Sequence, residues 1–238
     1  MNIALIGYGK MGKAIEEIAL QRGHQVVLKI DETNLADFTP ENLSKANVAI
    51  EFTGPHSALQ NVINVINAGT PLVCGSTGWT DHMEEVNTLV NQKNGSFLYA
   101  SNFSVGVNIF FEINKRLAAL MSPHKEYEVI LEETHHTQKK DAPSGTAITL
   151  AEQVLAEITR KKQWVNDLSD NTEDLEIISQ RIDPAPGTHS VKYASAIDDI
   201  EIIHTAHNRK GFATGAVLAA EYIHNKQGIF QMKDVLGL

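Results

Sequence analysis

The sequence predicts an α/β fold of two domains, and three observations predict it. A glycine-rich loop, GYGKMG at 7–12, lies between a short apolar segment and a helical pattern. Strand and helix patterns then alternate to about residue 100, and beyond residue 170 three strand patterns follow one another with no helix between them. The first two observations describe a Rossmann-type dinucleotide-binding domain with a parallel sheet. The third describes a second, α+β domain with an antiparallel or mixed sheet. Boundaries near 105 and 208 assign 1–105 plus 208–238 to the first domain and 106–207 to the second. Two chain crossings would act as a hinge, whose closure brings cofactor and substrate together and excludes water.

Asn2 to Ile6 reads as a strand; Ala14, Ile15, Ile18 and Ala19 then fall at helical spacing before Arg22 and Gly23 close the helix, and Gln25 to Ile30 is a second strand ending at Asp31. In that setting Gly7 permits a tight turn, Gly9 lets a pyrophosphate approach the backbone, and Gly12 lets helix and strand pack closely. Gly7, Tyr8, Gly9, Lys10, Met11 and Gly12 are therefore the expected phosphate loop. Asp31 lies 19 positions past Gly12. Its carboxylate suits the ribose hydroxyls of NADH and repels the 2′-phosphate of NADPH, as does Glu32. Lys29 opposes that preference, so NADH is expected to be favoured with some use of NADPH.

Val48 to Phe52, Pro71 to Cys74 and Phe97 to Ala100 read as further strands, with helices at Ser57 to Asn67 and Asp81 to Gln92. Parallel strands present ligands at their carboxyl ends, and three motifs stand there: FTGP at 52–55, GSTG at 75–78 and ASNF at 100–103. Cys74 reads as a small core residue, since no base follows it closely.

In the second half a helix from Ile109 to Leu120 leads to a strand over 126–133. Further strands are expected at Leu175 to Arg181, Ser190 to Ala196 and Asp199 to Ala206, with Lys161 to Asp174 a polar surface excursion and a last helix from Gly211 through Ile223. The most informative segment is ETHHTQKKDAPSGTA at 133–147, which gathers two imidazoles, two ammonium groups and a helix start. Ser144 has the chemistry of an N-cap, and a helix N-terminus with Gly145 at its head holds a carboxylate or phosphate. His135 and His136 are expected just past the strand end.

Composition excludes several classes. A net charge of −9 and a pI near 5.5 argue against a nucleic-acid or acidic-membrane partner. One cysteine permits no internal disulfide. No basic leader or long apolar run is seen, so a soluble, cytoplasmic protein is expected. No HExxH or CxxC pattern occurs, and His204 and His207 are spaced for opposite faces of a strand, so no metal site is expected.

The pattern Glu133, His135, His136, Lys139, Asp141, Ala142, Pro143, Ser144, Gly145, Thr146, Ala147 resembles the signature of the dihydrodipicolinate (4-hydroxy-tetrahydrodipicolinate) reductase family of bacterial diaminopimelate and lysine synthesis. The likeness spans nearly the whole chain. It implies NAD(P)H-dependent reduction of a small cyclic dicarboxylate, with His135 and Lys139 the catalytic pair and His136, Gly145 and Thr146 binding the substrate carboxylates. Lys140 and Ser144 would complete that clamp. It also implies that Gly75, Ser76 and Thr77, with Ala100, Ser101, Asn102 and Phe103, line the nicotinamide side of the cofactor, and that the protein is a homotetramer assembled through the second domain. Two departures stand out. The family usually spaces the outer glycines of the loop one residue wider, and an acidic residue usually stands where this chain has Thr188, between Gly187 and His189. Arg181, His189 and Arg209 echo later family motifs without a fixed role. Lys139 is the expected proton donor and His135 its partner, since burial and neighbouring cations can tune either toward neutral pH. The alternatives are another two-domain amino-acid dehydrogenase, which an acylating mechanism would disfavour for want of a cysteine after the cofactor domain, and a non-catalytic NADH sensor, which has no use for the His and Lys cluster.

Overall fold

The computed structural model describes residues 1–238, and no helix is long and apolar enough to cross a membrane. In chain order the elements are β1 (Asn2–Ile6), α1 (Lys10–Gln21), β2 (Gln25–Ile30), α2 (Pro40–Leu43), β3 (Val48–Glu51), α3 (Ala58–Asn67), β4 (Leu72–Cys74), α4 (Met83–Gln92) and β5 (Ser96–Tyr99). There follow α5 (Val105–Met121), β6 (Glu128–His135), α6 (Gly145–Glu157), β7 (Gln163–Val165), β8 (Asp174–Arg181), β9 (Thr188–Ala194) and β10 (Asp199–Thr205). The chain ends with α7 (Lys210–Ile223), β11 (Gly228–Phe230) and α8 (Met232–Leu236). It forms two compact units, Met1–Val105 with Arg209–Leu238, and Gly106–Asn208.

The first unit is a six-stranded parallel sheet, ordered β11-β5-β4-β3-β1-β2. Its central strands are buried on both faces, which is why they read as continuous apolar runs. Ile3, Leu5, Val48 and Ile50 pack on α1 and α7, while Ala4, Ile6, Ala49, Leu72 and Phe97 pack on α3 and α4. Strand order reverses at β1, because β2 lies on one side of it and β3 on the other, and the glycine loop leaves β1 at this switch point.

The second unit is a five-stranded mixed sheet, ordered β10-β9-β6-β8-β7, antiparallel on the β9 side of β6 and parallel on the β8 side. One face carries Val129, Leu131, Leu175, Ile177, Val191 and Tyr193 and is covered by Phe110 and Ala118 of α5 and by Leu150, Ala151 and Val154 of α6. Three expectations change. The 161–174 excursion contains the edge strand β7, whose three residues are too few to show a period. β11 and α8 extend the first unit after the last helix. β6 runs on through His135, so this histidine belongs to the strand rather than following it.

Candidate active site

The sequence around the first-unit loop dictates its geometry. Gly7 has φ +97°, donates its amide to the Ile30 carbonyl at 2.9 Å, and would place a Cβ 2.1 Å from the Phe52 carbonyl oxygen. A Cβ on Gly12 would lie 2.5 Å from the Gly7 carbonyl oxygen. Only glycine fits either position. Gly9 is different: nothing lies within 4 Å of a Cβ there, and as N-cap of α1 it has no side chain to close the helix start. The result is an open backbone cradle at the head of a 12-residue helix, which is what an anionic pyrophosphate requires. Lys10 is exposed and Met11 half-buried beside it.

Tyr8 donates its hydroxyl to Glu16, and Lys29 pairs with Glu16 at 2.6 Å while lying 4.9 Å from the Tyr8 ring centre. Lys29, the cation that would favour a 2′-phosphate, is thus already engaged by a carboxylate. Asp31 accepts from the Thr33 hydroxyl at 2.6 Å and the Thr33 amide at 2.8 Å, and these donors hold its carboxyl below the usual range.

At the ends of β3 and β4 a Cβ on Gly75 would meet the Phe52 ring at 2.2 Å, and the Phe52 and Phe103 rings stand 5.5 Å apart. Ser76 and Phe103 are buried, so their side chains support the loops rather than line an open surface. The Ser76 hydroxyl accepts from the Thr53 amide at 2.8 Å and donates to Glu51 at 3.0 Å. Thr77 and Ser101 are exposed, Ala100 is half-buried, and Asn102 accepts from the Ser104 amide at 2.9 Å. Glu51, fully buried, also receives the Cys74 thiol at 3.1 Å. Burial first, and then Glu51, push that thiol well above its ordinary range, which makes Cys74 an inert core group.

In the second unit β6 alternates cleanly: Val129 and Leu131 face the helices, and Glu133 and His135 continue the same inward row with polar groups. Glu133 is 1% exposed and collects donors. The Ser144 amide reaches both its oxygens at 3.2 and 3.1 Å, the Ser179 hydroxyl lies at 2.8 Å and Arg181 Nη2 at 3.1 Å. Burial alone would raise this carboxyl; the donors that face it, His135 first and then Ser144 and Ser179, overcome it and hold the group far below the usual carboxylate range.

Ser144 is the N-cap of α6, its hydroxyl accepting from the Ala147 amide at 3.2 Å. That hydroxyl also lies 3.0 Å from His189 Nε2, so Ser144 braces the site from within. Gly145 is exposed, with nothing within 4 Å of a Cβ, at the head of a 13-residue helix; Thr146 is half-buried beside it. The loop before it is pinned by Thr137, which donates its hydroxyl to Asp183 at 2.6 Å and its amide at 3.1 Å. His136 is half-buried and Lys140 exposed. Lys139 Nζ is held by both oxygens of Asp141, at 2.9 and 2.7 Å. Burial pushes the Asp141 carboxyl up, but the Lys139 ammonium prevails and holds it below its ordinary value.

A family model described as dihydrodipicolinate reductase, N-terminus, matches residues 1–103, and one described as dihydrodipicolinate reductase, C-terminus, matches residues 106–236. The chain belongs to the dihydrodipicolinate reductase family. It is an oxidoreductase. A 4-hydroxy-tetrahydrodipicolinate reductase of Christiangramia forsetii is 48% identical over 99% of this chain and 98% of its own. One of Methanococcoides burtonii is 39% identical over 95% of this chain and 86% of its own. The fold is shared with a dipicolinate-bound dihydrodipicolinate reductase of Paenisporosarcina sp. TG-14, with a TM-score of 0.79 at 21% identity over 97% of each chain.

Sequence reasoning underrated two groups of the reductase fold. Arg181 and His189 had no fixed role, yet Arg181 is the cation on Glu133 and His189 stands against both His135 and Ser144. The signal for His189 was its inward register with Val191 and Tyr193 on β9. His207 lies beyond β10, and only His204 belongs to that strand.

Proposed function

We propose that this protein reduces 4-hydroxy-tetrahydrodipicolinate to tetrahydrodipicolinate in diaminopimelate and lysine synthesis, using NADH in preference to NADPH. One observation carries the reading: the segment with His135, Lys139 and the serine-capped helix lies in a chain alike end to end with a reductase of that name. The net change adds a hydride and a proton and releases water from the hydroxylated ring.

The open cradle of Gly7, Gly9 and Gly12 fits a dinucleotide pyrophosphate, with Tyr8, Lys10 and Met11 around it, and Asp31 takes the ribose hydroxyls. Gly75, Thr77, Ala100, Ser101 and Asn102 border the nicotinamide, with Ser76 and Phe103 supporting them. When bound, the reduced nicotinamide supplies the hydride. Gly145 and Thr146 at the α6 N-terminus, with His136 and Lys140, grip the two carboxylates, while Ser144 sets the pitch of the helix start. Lys139 holds the proton and delivers it as electron density moves to the ring, and Asp141 aims its ammonium group. His135 is its partner. The first unit is the dinucleotide-binding domain and the second the substrate-binding and oligomerisation domain; a cytoplasmic homotetramer is the expected form.

The test couples the protein to a synthase that makes the cyclic precursor and follows the absorbance of reduced nicotinamide with NADH and with NADPH. Loss of absorbance, faster with NADH and inhibited competitively by pyridine-2,6-dicarboxylate, is expected. NADH binding with no oxidation overturns the reading.

A further inference from the structure

Across the second sheet, side chains fall into rows. Leu131, Ile177, Val191 and Ile202 form one apolar row, in register on β6, β8, β9 and β10; two residues further on, the same face carries Glu133, Ser179, His189 and His204. This polar crossbar stands under the segment bearing His135. His135 Nε2 lies 3.3 Å from His189 Nε2 and 3.5 Å from Glu133 Oε2, and His189 Nε2 lies 3.6 Å from the same oxygen. The two rings meet edge to face with centres 5.0 Å apart. Gly187 closes the other side, since a Cβ there would come within 2.9 Å of His135 Cε1. The His135 ring is therefore gripped, with Nε2 turned inward.

We propose that His189, backed by Glu133, is a positioning residue that fixes the orientation and tautomer of His135. Proton inventory supports this. Only one proton fits between the two Nε2 atoms. Ser144 Oγ already accepts from the Ala147 amide, so its own proton is available for His189 Nε2, 3.0 Å away. Burial favours neutral His189, and with the Ser144 hydroxyl as donor its Nε2 holds the lone pair. The ionised Glu133 carboxylate can only accept, so His135 carries its proton on Nε2, directed at Glu133 Oε2 3.5 Å away beside the unprotonated His189 nitrogen, and Nδ1 remains outside the network.

The separations of 3.3, 3.5 and 3.6 Å also match those between ligands of a tetrahedral ion with bonds of about 2 Å. Charge decides against it. Arg181 already neutralises Glu133 at 3.1 Å, so a dication would be buried with no compensating anion. One carboxylate oxygen, Oε1, is also taken up by Ser144, Ser179 and Arg181.

The inference deepens the reductase reading, and only its kinetic arm rests on that reading. Nitrogen-15 NMR of full-length wild-type protein at pH 8 is expected to show His135 as a single Nε2–H tautomer. An Nδ1–H tautomer, or an averaged pair, overturns the proposal whether or not any variant folds. In His189→Ala, the tautomers of His135 should mix and kcat should fall about 10- to 100-fold, while the substrate KM and NADH affinity stay within about threefold. His189→Gln, which returns a polar group near the lost Nε2, should recover part of kcat. Unchanged kcat with an unchanged tautomer, a rise in KM alone, or one equivalent of divalent metal lost together with activity on chelation would each sink it.

Discussion

Replacing Glu133 by Gln preserves shape and removes one charge, so it isolates what the buried carboxylate does. Its Oε1 receives Ser179 at 2.8 Å, Arg181 at 3.1 Å and the Ser144 amide at 3.2 Å; its Oε2 receives the same amide at 3.1 Å and faces both histidines. An amide keeps one acceptor, turns the other into a donor aimed at donors, and leaves Arg181 without its anion. Breaking one partner of a buried pair costs about 3–5 kcal/mol. At a urea slope of about 2 kcal/mol per molar, the unfolding midpoint of the second unit should fall by about 2 M. Trp79 lies in the first unit and Trp164 in the second, so a Trp79→Phe background lets Trp164 fluorescence report the second unit. The pH dependence gives the sharper check. The folded Glu133 carboxyl is held far below 4.5, so its contribution is complete above the unfolded value of about 4.3 and is lost as pH falls below it. The gap between wild type and Glu133→Gln should be narrower by about 1 kcal/mol at pH 3.5 than at pH 5. A gap below about 1 kcal/mol at pH 7.5, or one that does not close in acid, would refute the argument.

Three other outcomes follow from the same geometry. Gly7→Ala, with a Cβ 2.1 Å from a carbonyl oxygen and φ +97°, should lower the melting temperature and abolish NADH binding; Gly9→Ala, which meets nothing, should fold normally and still weaken NADH binding in a fluorescence titration. Lys139→Ala should lower kcat by about 100-fold or more with NADH affinity unchanged, and intact turnover with weakened NADH binding would remove Lys139 from the chemistry. Asp31→Ser should raise kcat/KM for NADPH relative to NADH; an unchanged ratio would show that this carboxylate does not read the ribose.

The parallel sheet was legible because its central strands are apolar on both faces and because Gly7 and Gly12 sit where only glycine fits. The capped start of α6 was legible for a local reason: Ser144 and its hydrogen bond to Ala147 lie within one turn. What the sequence concealed is non-local. β6 ends in Glu133 and His135, polar groups on an inward face, so the apolar alternation stops before the strand does. β7 and β11 have three residues each and exist by pairing with β8 and β5, which no period announces. His189 acquires its partners only through the antiparallel register of β9 with β6, 54 positions from His135.

The first unit is interrupted: its sheet is begun by residues 1–105, but α7, which shares one of its faces with α1, and the strand at its edge come from 209–238. During synthesis the apolar flank of β1 and β3 therefore waits for Ala213, Ala216, Val217 and Ile223 while the whole second unit emerges from the ribosome. At ordinary translation speeds that wait is on the order of ten seconds. The nascent chain in that interval exposes a sticky, half-clad surface, which is where a chaperone would be expected to bind.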